Sequence, residues 1–354
     1  MKKSLFIAAL AVVAMASCTK NELKVPSTGT GAEITFTTPV LAHHTKSTEL
    51  DNDAVYPKTA SFNVYAYYNS GDSFESSTAS TYMDNVKVTY NSSINDDTPG
   101  SGAWAPEHNY YWPKQGVLTF YAYSPSELVG DKSATAADGI KVENHEVRMT
   151  LDKQQDFLYA TRAEAKKATT VGTNATYDGV DIQFNHALAV VKFTAATKDV
   201  YSPTTTIKIK KIEIQDINDK GTFEQKAEAS SAIWRDQTGS NDYVAYDNTF
   251  DLSTPLSTTP ATVGKTVIVL PQNFTASTQK LYIEYFIKTD ADGSQALIQT
   301  AELNFHNATA LADNNKWEMG KRYTYNIVIG LDKIYFAPSV TNWDDITVDN
   351  INVK

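Results

Sequence analysis

Apolar and polar residues alternate over short runs along most of this chain, and turn residues close nearly every run. In residues 61–68, Phe62 and Val64 recur at a period of two, which predicts a strand with one buried face. An earlier run, 33–40, predicts another strand, with Ile34, Phe36 and Val40 as its apolar positions. Comparable runs predict strands at 86–90, 117–123, 147–151, 156–160, 180–184 and 188–194. Residues 206–214 alternate with a slip at Lys210-Lys211, the signature of a bulge. Strands are also predicted at 267–270, 281–287, 296–303 and 323–329, with Pro125 and Pro271 among the punctuating residues. Residues 162–167 read as a short helical turn, and no segment reads as a longer helix.

This pattern predicts an all-β protein built of β-sandwiches. A Thr/Gly/Asn-rich stretch, 169–179, interrupts it and predicts a boundary between one domain at 47–178 and a second at 179–332. No fixed-period repeat is present, so a propeller or solenoid is not expected. The segment 333–354 carries Ile334 and Phe336 and ends in strand-like alternation, Ile346 and Val348, then Ile351 and Val353, each between polar residues. It offers strand-forming apolar residues where a sandwich should already be complete.

The N-terminus follows different rules. A basic start, Met1-Lys2-Lys3, leads into an apolar run and then Met15-Ala16-Ser17-Cys18. Such a segment is a secretory signal, too short to span a bilayer as a mature helix. Small residues before the chain's one cysteine predict a lipoprotein signal peptide, residues 1–17, cut between Ser17 and Cys18 with lipid on the Cys18 sulfur. Residues 19–32 read as a flexible tether. The strand 33–40 follows and ends in His43-His44-Thr45-Lys46. A strand on such a tether can leave without unthreading anything else, and we read 18–46 as a lipidated tether with a removable first strand.

Composition narrows the classes. At 354 residues with 42% hydrophobic and 20% charged content, the chain can build a sizeable core. A net charge of −10 argues against nucleic acid as a partner. The mature chain can form no intrachain disulfide.

Chemistry is sparse. None of the six histidines (His43, His44, His108, His145, His186, His306) forms the helical pair of a metalloprotease, so no metal site is expected. His186 lies between two predicted strands and reads as a structural histidine. Nucleophile-elbow and phosphate-loop motifs are absent from the sequence. The acidic pairs Asp51/Asp53, Asp96/Asp97 and Asp344/Asp345 sit in polar, loop-like surroundings and read as solvated surface. No enzyme and no cofactor are expected beyond the covalent lipid on Cys18. Most aromatics sit at core-compatible spacing, whereas Trp104, Tyr110 and Tyr111 read as candidates for surface contact.

Several segments in order resemble one family. They are Met15–Cys18, the strand 34–40 ending at Thr45-Lys46, residues 62–67, Tyr111-Trp112-Pro113 with 118–122, and 155–159. Phe184-Asn185-His186-Ala187-Leu188, residues 269–272, residues 317–323 and Trp343 complete the series. Together they resemble the fimbrillin-like lipoproteins of Bacteroidales, the subunits of lipoprotein-derived pili. The resemblance implies two tandem transthyretin-like β-sandwich domains and a cell-surface fimbrial subunit that contributes to adhesion. It also implies passage to the outer membrane on a lipid anchor. A trypsin-like surface protease then cuts between Lys46 and Ser47, where the best-known members carry arginine. Loss of Ile34, Phe36 and Val40 opens a groove for another subunit's C-terminal strand, here Ile334, Phe336, Ile346, Val348, Ile351 and Val353. Implied partners are other fimbrial subunits, the outer membrane before processing, and a host or bacterial surface ligand. The alternatives are a membrane-retained fimbrial anchor, with Lys46 uncut, and a surface glycan-binding lipoprotein with exposed aromatics and no detachable strand.

Overall fold

The computed structural model describes residues 32–37, 39–41, 56–94, 103–167, 179–201, 203–225, 232–248, 254–289, 297–306, 315–331 and 334–343. Among them the fold is all-β, and the one helical element is a 3-10 turn at Leu151–Lys153. A seven-stranded sheet has the order Val40–Leu41, Gln183–His186, Leu158–Ala165, Val117–Ser124, Ser61–Asn69, Ser80–Tyr90 and Trp104–Pro106. A five-stranded sheet runs Ala261–Thr262, Ala189–Thr197, Lys321–Ile329 and Ile334–Asn342, with Val267–Val269 also pairing to Ala189–Thr197. One four-stranded sheet orders Asn241–Asp247, Thr205–Ile217, Lys280–Thr289 and Leu297–Asn304. Another orders Ile233–Thr238, Lys220–Glu224, Gly139–Glu146 and Asp131–Thr135.

The middle of the seven-stranded sheet is buried on both faces. Phe62, Val64, Phe120 and Ala122 pack into one core, while Tyr65, Tyr67, Tyr121 and Tyr123 pack into a second. That is why Ser61–Asn69 is buried almost throughout rather than on alternate residues, and why every residue of Val117–Ser124 is buried. The one-sided strand expected at 61–68 is thus a two-sided one, because it lies between two cores.

Some expectations need correction. Residues 162–165 continue the strand Leu158–Ala165 instead of turning helically, since pairing with Val117–Ser124 outweighs local propensity. Residues 147–151 hold no strand, and Leu151 starts the 3-10 turn. The bulge expected at Lys210-Lys211 is present as a register shift between Ile209 and Lys211. Strand pairs cross residue 178, which leaves the expected domain boundary there untested. Gln183–His186 pairs with Leu158–Ala165, and Lys220–Glu224 pairs with Gly139–Glu146.

Candidate functional site: the first strand and its groove

Residues 32–41 close the seven-stranded sheet on itself. On one side they run antiparallel to 104–112. The Ile34 amide donates to the Tyr110 carbonyl at 2.7 Å, and the Trp112 amide to Ala32 at 3.0 Å. Phe36 and Trp104 exchange two bonds, of 2.8 and 3.1 Å. On the other side they run parallel to 180–184. The Thr37 amide donates to Val180 at 3.0 Å, the Val180 amide to Thr35 at 2.8 Å, and Val40 and Leu41 pair with Gln183 and Phe184. Taking this strand away would leave two sheet edges with unpaired backbone groups facing one slot.

The slot is apolar and aromatic. Ile34 is 1% exposed and Phe36 0%. The Phe36 ring meets Phe62 and Phe120 edge-on, with centroids 5.6 and 5.7 Å away. Tyr56 stacks on Phe184 and packs against Phe62 and Trp104. Burial pushes the Tyr56 phenol up to about 12, and its hydroxyl is satisfied by Ser124 at 2.6 Å. The strand's outer end is polar, where Asn109 donates to the Glu33 carboxylate at 2.9 Å.

Gly179 fits the strand to this slot. Its φ is +107°, and a Cβ there would lie 3.0 Å from Phe36 C, Thr35 O and Thr37 N. Only glycine allows both that backbone conformation and so close an approach. Sequence reasoning placed Gly179 at a domain boundary. The Asp-Gly pair at 178–179 just before a strand-like run was the available signal in the sequence. The surface assignment of Trp104 is also corrected: it is fully buried, because its strand forms the slot's wall, and Tyr110 and Tyr111 are half-buried beside it.

The C-terminal strand is held differently. Ile334–Asn342 pairs antiparallel with Lys321–Ile329 through nine residue pairs as the outermost strand of its sheet. Ile334 and Phe336 are half-buried. The strand ends at Trp343, whose ring stacks on His186 with centroids 4.1 Å apart and planes 6° off parallel. The Trp343 amide donates to Gly320 at 2.9 Å, and His186 Nδ1 lies 2.7 Å from Asp156 Oδ2. His186 is thus tied into packing. Ser17, Cys18, Lys46, Ser47, Ile346, Val348, Ile351 and Val353 lie outside the described residues, as do His43, His44 and the three acidic pairs. Among the described residues no cluster of His, Cys, Asp and Glu has the geometry to hold a metal ion.

The sequence matches the fimbrillin-like family over residues 45–343. The chain belongs to that family. It is a family of fimbrial structural proteins, not of enzymes. In fold this fimbrillin-like chain is similar to a fimbrial protein from Bacteroides vulgatus, with a TM-score of 0.62 and 16% identity over 88% of this chain and 99% of that one. The tip fimbrial protein Mfa3 from Porphyromonas gingivalis, with C-terminal truncation, aligns at a TM-score of 0.36 and 11% identity over 80% of this chain and 94% of that one. A search of the curated proteins finds no match. The family match begins after the strand at 33–41 and ends at Trp343, so the slot's walls and the C-terminal strand lie within it, and the strand filling the slot does not.

Proposed function

We propose that this fimbrillin-like chain is a structural subunit of a cell-surface fimbria that assembles by exchanging its first strand for a strand of another subunit. It reaches the outer membrane as a lipoprotein anchored through Cys18. A trypsin-like protease cuts between Lys46 and Ser47, and residues 18–46 depart with their lipid. The groove between 104–112 and 180–184 then accepts the C-terminal segment of the next subunit, and repetition gives a filament that contributes to adhesion. Head-to-tail addition of this kind does not close on itself.

The observation that carries this reading is the placement of Ile34 and Phe36. They are core residues, yet they sit on a strand with polar sequence before and after it. Their burial stabilises the unprocessed chain by about 3–6 kcal/mol in gross terms. An emptied groove would pair these side-chain sites with two open backbone ladders, a strong template for strand addition. While the strand is in place, the same site is blocked.

The test is the intact mass and N-terminal residue of the protein taken from the cell surface. A lipid-free chain starting at Ser47 is expected. A chain starting at acylated Cys18 would overturn processing and favour the membrane-retained anchor. Deleting residues 333–354 should abolish polymerisation, with an unfolding curve of the shortened monomer separating loss of a donor from loss of the fold, since 334–342 also pairs within its own sheet.

A further inference from the structure

A strand at the margin of a sheet presents an unpaired backbone ladder, and soluble proteins blunt such margins with charge, proline, bulges or covering chain. Most margins among the described residues are blunted in this way. Pro338 sits in the middle of Ile334–Asn342 and has no amide to donate. Ile233–Thr238 carries Arg235 and Asp236 side by side, with Asp236 at φ +51° and a register shift on the strand it pairs with. Asp131–Thr135 is five residues long and opens on Asp131-Lys132. Asn241–Asp247 is covered where the Lys265 amide donates to the Ala245 carbonyl at 2.8 Å. Leu297–Asn304 has none of these devices. Its eight residues include no proline, glycine, lysine or arginine. It pairs with Lys280–Thr289 without a register shift, and among the described residues no strand lies on its other side. Leu297 and Ile298 are 58% and 50% exposed there.

We propose that this edge is a contact between two copies of the chain, in which Leu297–Asn304 of each pairs antiparallel with the other about a two-fold axis at Thr300. Charge selects a like partner. A net charge of −10 sets two copies against each other at long range, so a contact between them must sit where charge is locally cancelled. Glu302 is the strand's one charged side chain, and Lys280 holds it at 2.7 Å. The apolar pattern then sets the register. Gln299, Ala301 and Leu303 are half-buried on the inner face, while Thr300 and Glu302 are exposed on the outer one. With the axis at Thr300, the exposed Leu297 lies opposite Leu303 of the other copy, and Ile298 lies against the aliphatic stem of Glu302. An axis at Ala301 would set Leu303 opposite Gln299 and carry Leu297 past the end of the ladder. One strand ladder buries less than the ~1,200 Å² of a stable interface, so the contact is weak between lone chains. Along a filament it recurs at every subunit and adds by avidity, joining filaments side by side. That consequence rests on the fimbrial reading, and the dimer does not.

The experiment uses the unprocessed chain, residues 18–354 with Cys18→Ser, in which residues 32–41 fill the groove and strand exchange supplies no contact. Sedimentation should show a concentration-dependent dimer. T300K sets two lysines against each other across the axis and should weaken that dimer roughly tenfold or more, whereas T300V should keep it. Unfolding curves verify that both variants are folded. T300C should give a covalent dimer under oxidation, and S133C, on the blunted Asp131–Thr135 edge, should not. A chain that stays monomeric at every concentration, or a dimer that T300K leaves intact, would overturn the proposal. A monomer whose 297–304 amides gain protection from hydrogen exchange only when a cell-surface extract is added would give the edge to another protein and overturn self-pairing. A dimer that T300K breaks but T300C fails to trap would overturn the axis at Thr300. In electron micrographs, T300K filaments should lie singly where unsubstituted ones lie side by side. Equal bundling would overturn the lateral joining and leave the dimer standing, and a chain that forms no filaments counts against the fimbrial reading alone.

Discussion

The first and last strands among the described residues share an apolar pattern, Ile34 and Phe36 against Ile334 and Phe336, and are held in opposite ways. The first lies between two backbones, with Ile34 and Phe36 fully enclosed. The last lies on an edge, bonded along one side among the described residues, with Ile334, Phe336 and Val340 half-buried and Trp343 resting on His186. An enclosed strand can be lost only by opening the core, whereas an edge strand gives up one ladder and modest apolar area. The same residue types are therefore held differently according to how many sides of the strand are paired.

Truncating the two phenylalanines should separate these roles most clearly. Phe36→Ala in the unprocessed chain should lower unfolding free energy by about 3–5 kcal/mol, as for other buried aromatics. Phe336→Ala should lower it by about 1–2 kcal/mol, since the ring is only half-buried. Equal losses in denaturant titrations would break the distinction between enclosed and edge strands.

Acid offers a control that ought to act on neither strand. His145 sits on Gly139–Glu146, in the sheet that joins early and late parts of the chain, against Phe157 and Trp234. Burial pushes its imidazole down to about 4, with the Val129 carbonyl and Glu146 opposing and Lys132 assisting. Between an unfolded value near 6.5 and that folded value, the unfolded chain binds a proton that the folded chain refuses. Stability is therefore fullest above pH ~6.5 and falls as pH drops toward 4, by something on the order of 3 kcal/mol. The slope should be the same before and after cleavage and should vanish in His145→Gln. A slope that depended on the first strand would link His145 to the groove.

Gly179→Ala should sharpen the comparison from the groove side. At φ +107° an alanine is strained, and its Cβ would press on the backbone of Thr35–Thr37. A loss of about 1–3 kcal/mol is expected in the unprocessed chain. Part of it should disappear once the first strand is gone, because only the backbone strain then remains. An identical loss in both forms would mean that Gly179 serves its own turn and not the strand.

What the sequence disclosed followed from strand periodicity. Alternation at 33–40 and 333–340, the slip at Lys210-Lys211 and the polar turns are local signals, and they survived folding. What it concealed depends on pairing between distant segments. Trp104 looked like a loop residue because its strand is only three residues long, and its ring is covered by Tyr56, Phe62 and Tyr90. Residues 162–165 looked helical until Val117–Ser124 paired with them. The slot itself was partly legible. Its occupant was visible as a lone apolar pattern, while Gly179 and the wall at 104–112 needed the closed sheet to acquire meaning.

The most local expected effect belongs to Trp343. Its stack on His186 and its bond to Gly320 pin the last strand at the end farthest from Ile334. Trp343→Ala removes a stacked pair worth about 0.5–1.5 kcal/mol beyond its buried area. Trp343 is itself buried, so global stability should fall as for other buried aromatics, by about 3–5 kcal/mol. Local opening of the last strand should change as well. Amides of Ile334–Asn342 should exchange with solvent severalfold faster in hydrogen-exchange measurements, while those of 34–37 keep their protection. Strand exchange should accelerate in the same variant, because the outgoing segment starts closer to release. Unaltered exchange along Ile334–Asn342 would show that the ladder alone holds the edge strand, leaving Trp343 to fill space above His186. Faster exchange at 34–37 as well would mean that the two strands open as one unit through Gln183–His186, which pairs with the first strand and carries the ring beneath Trp343.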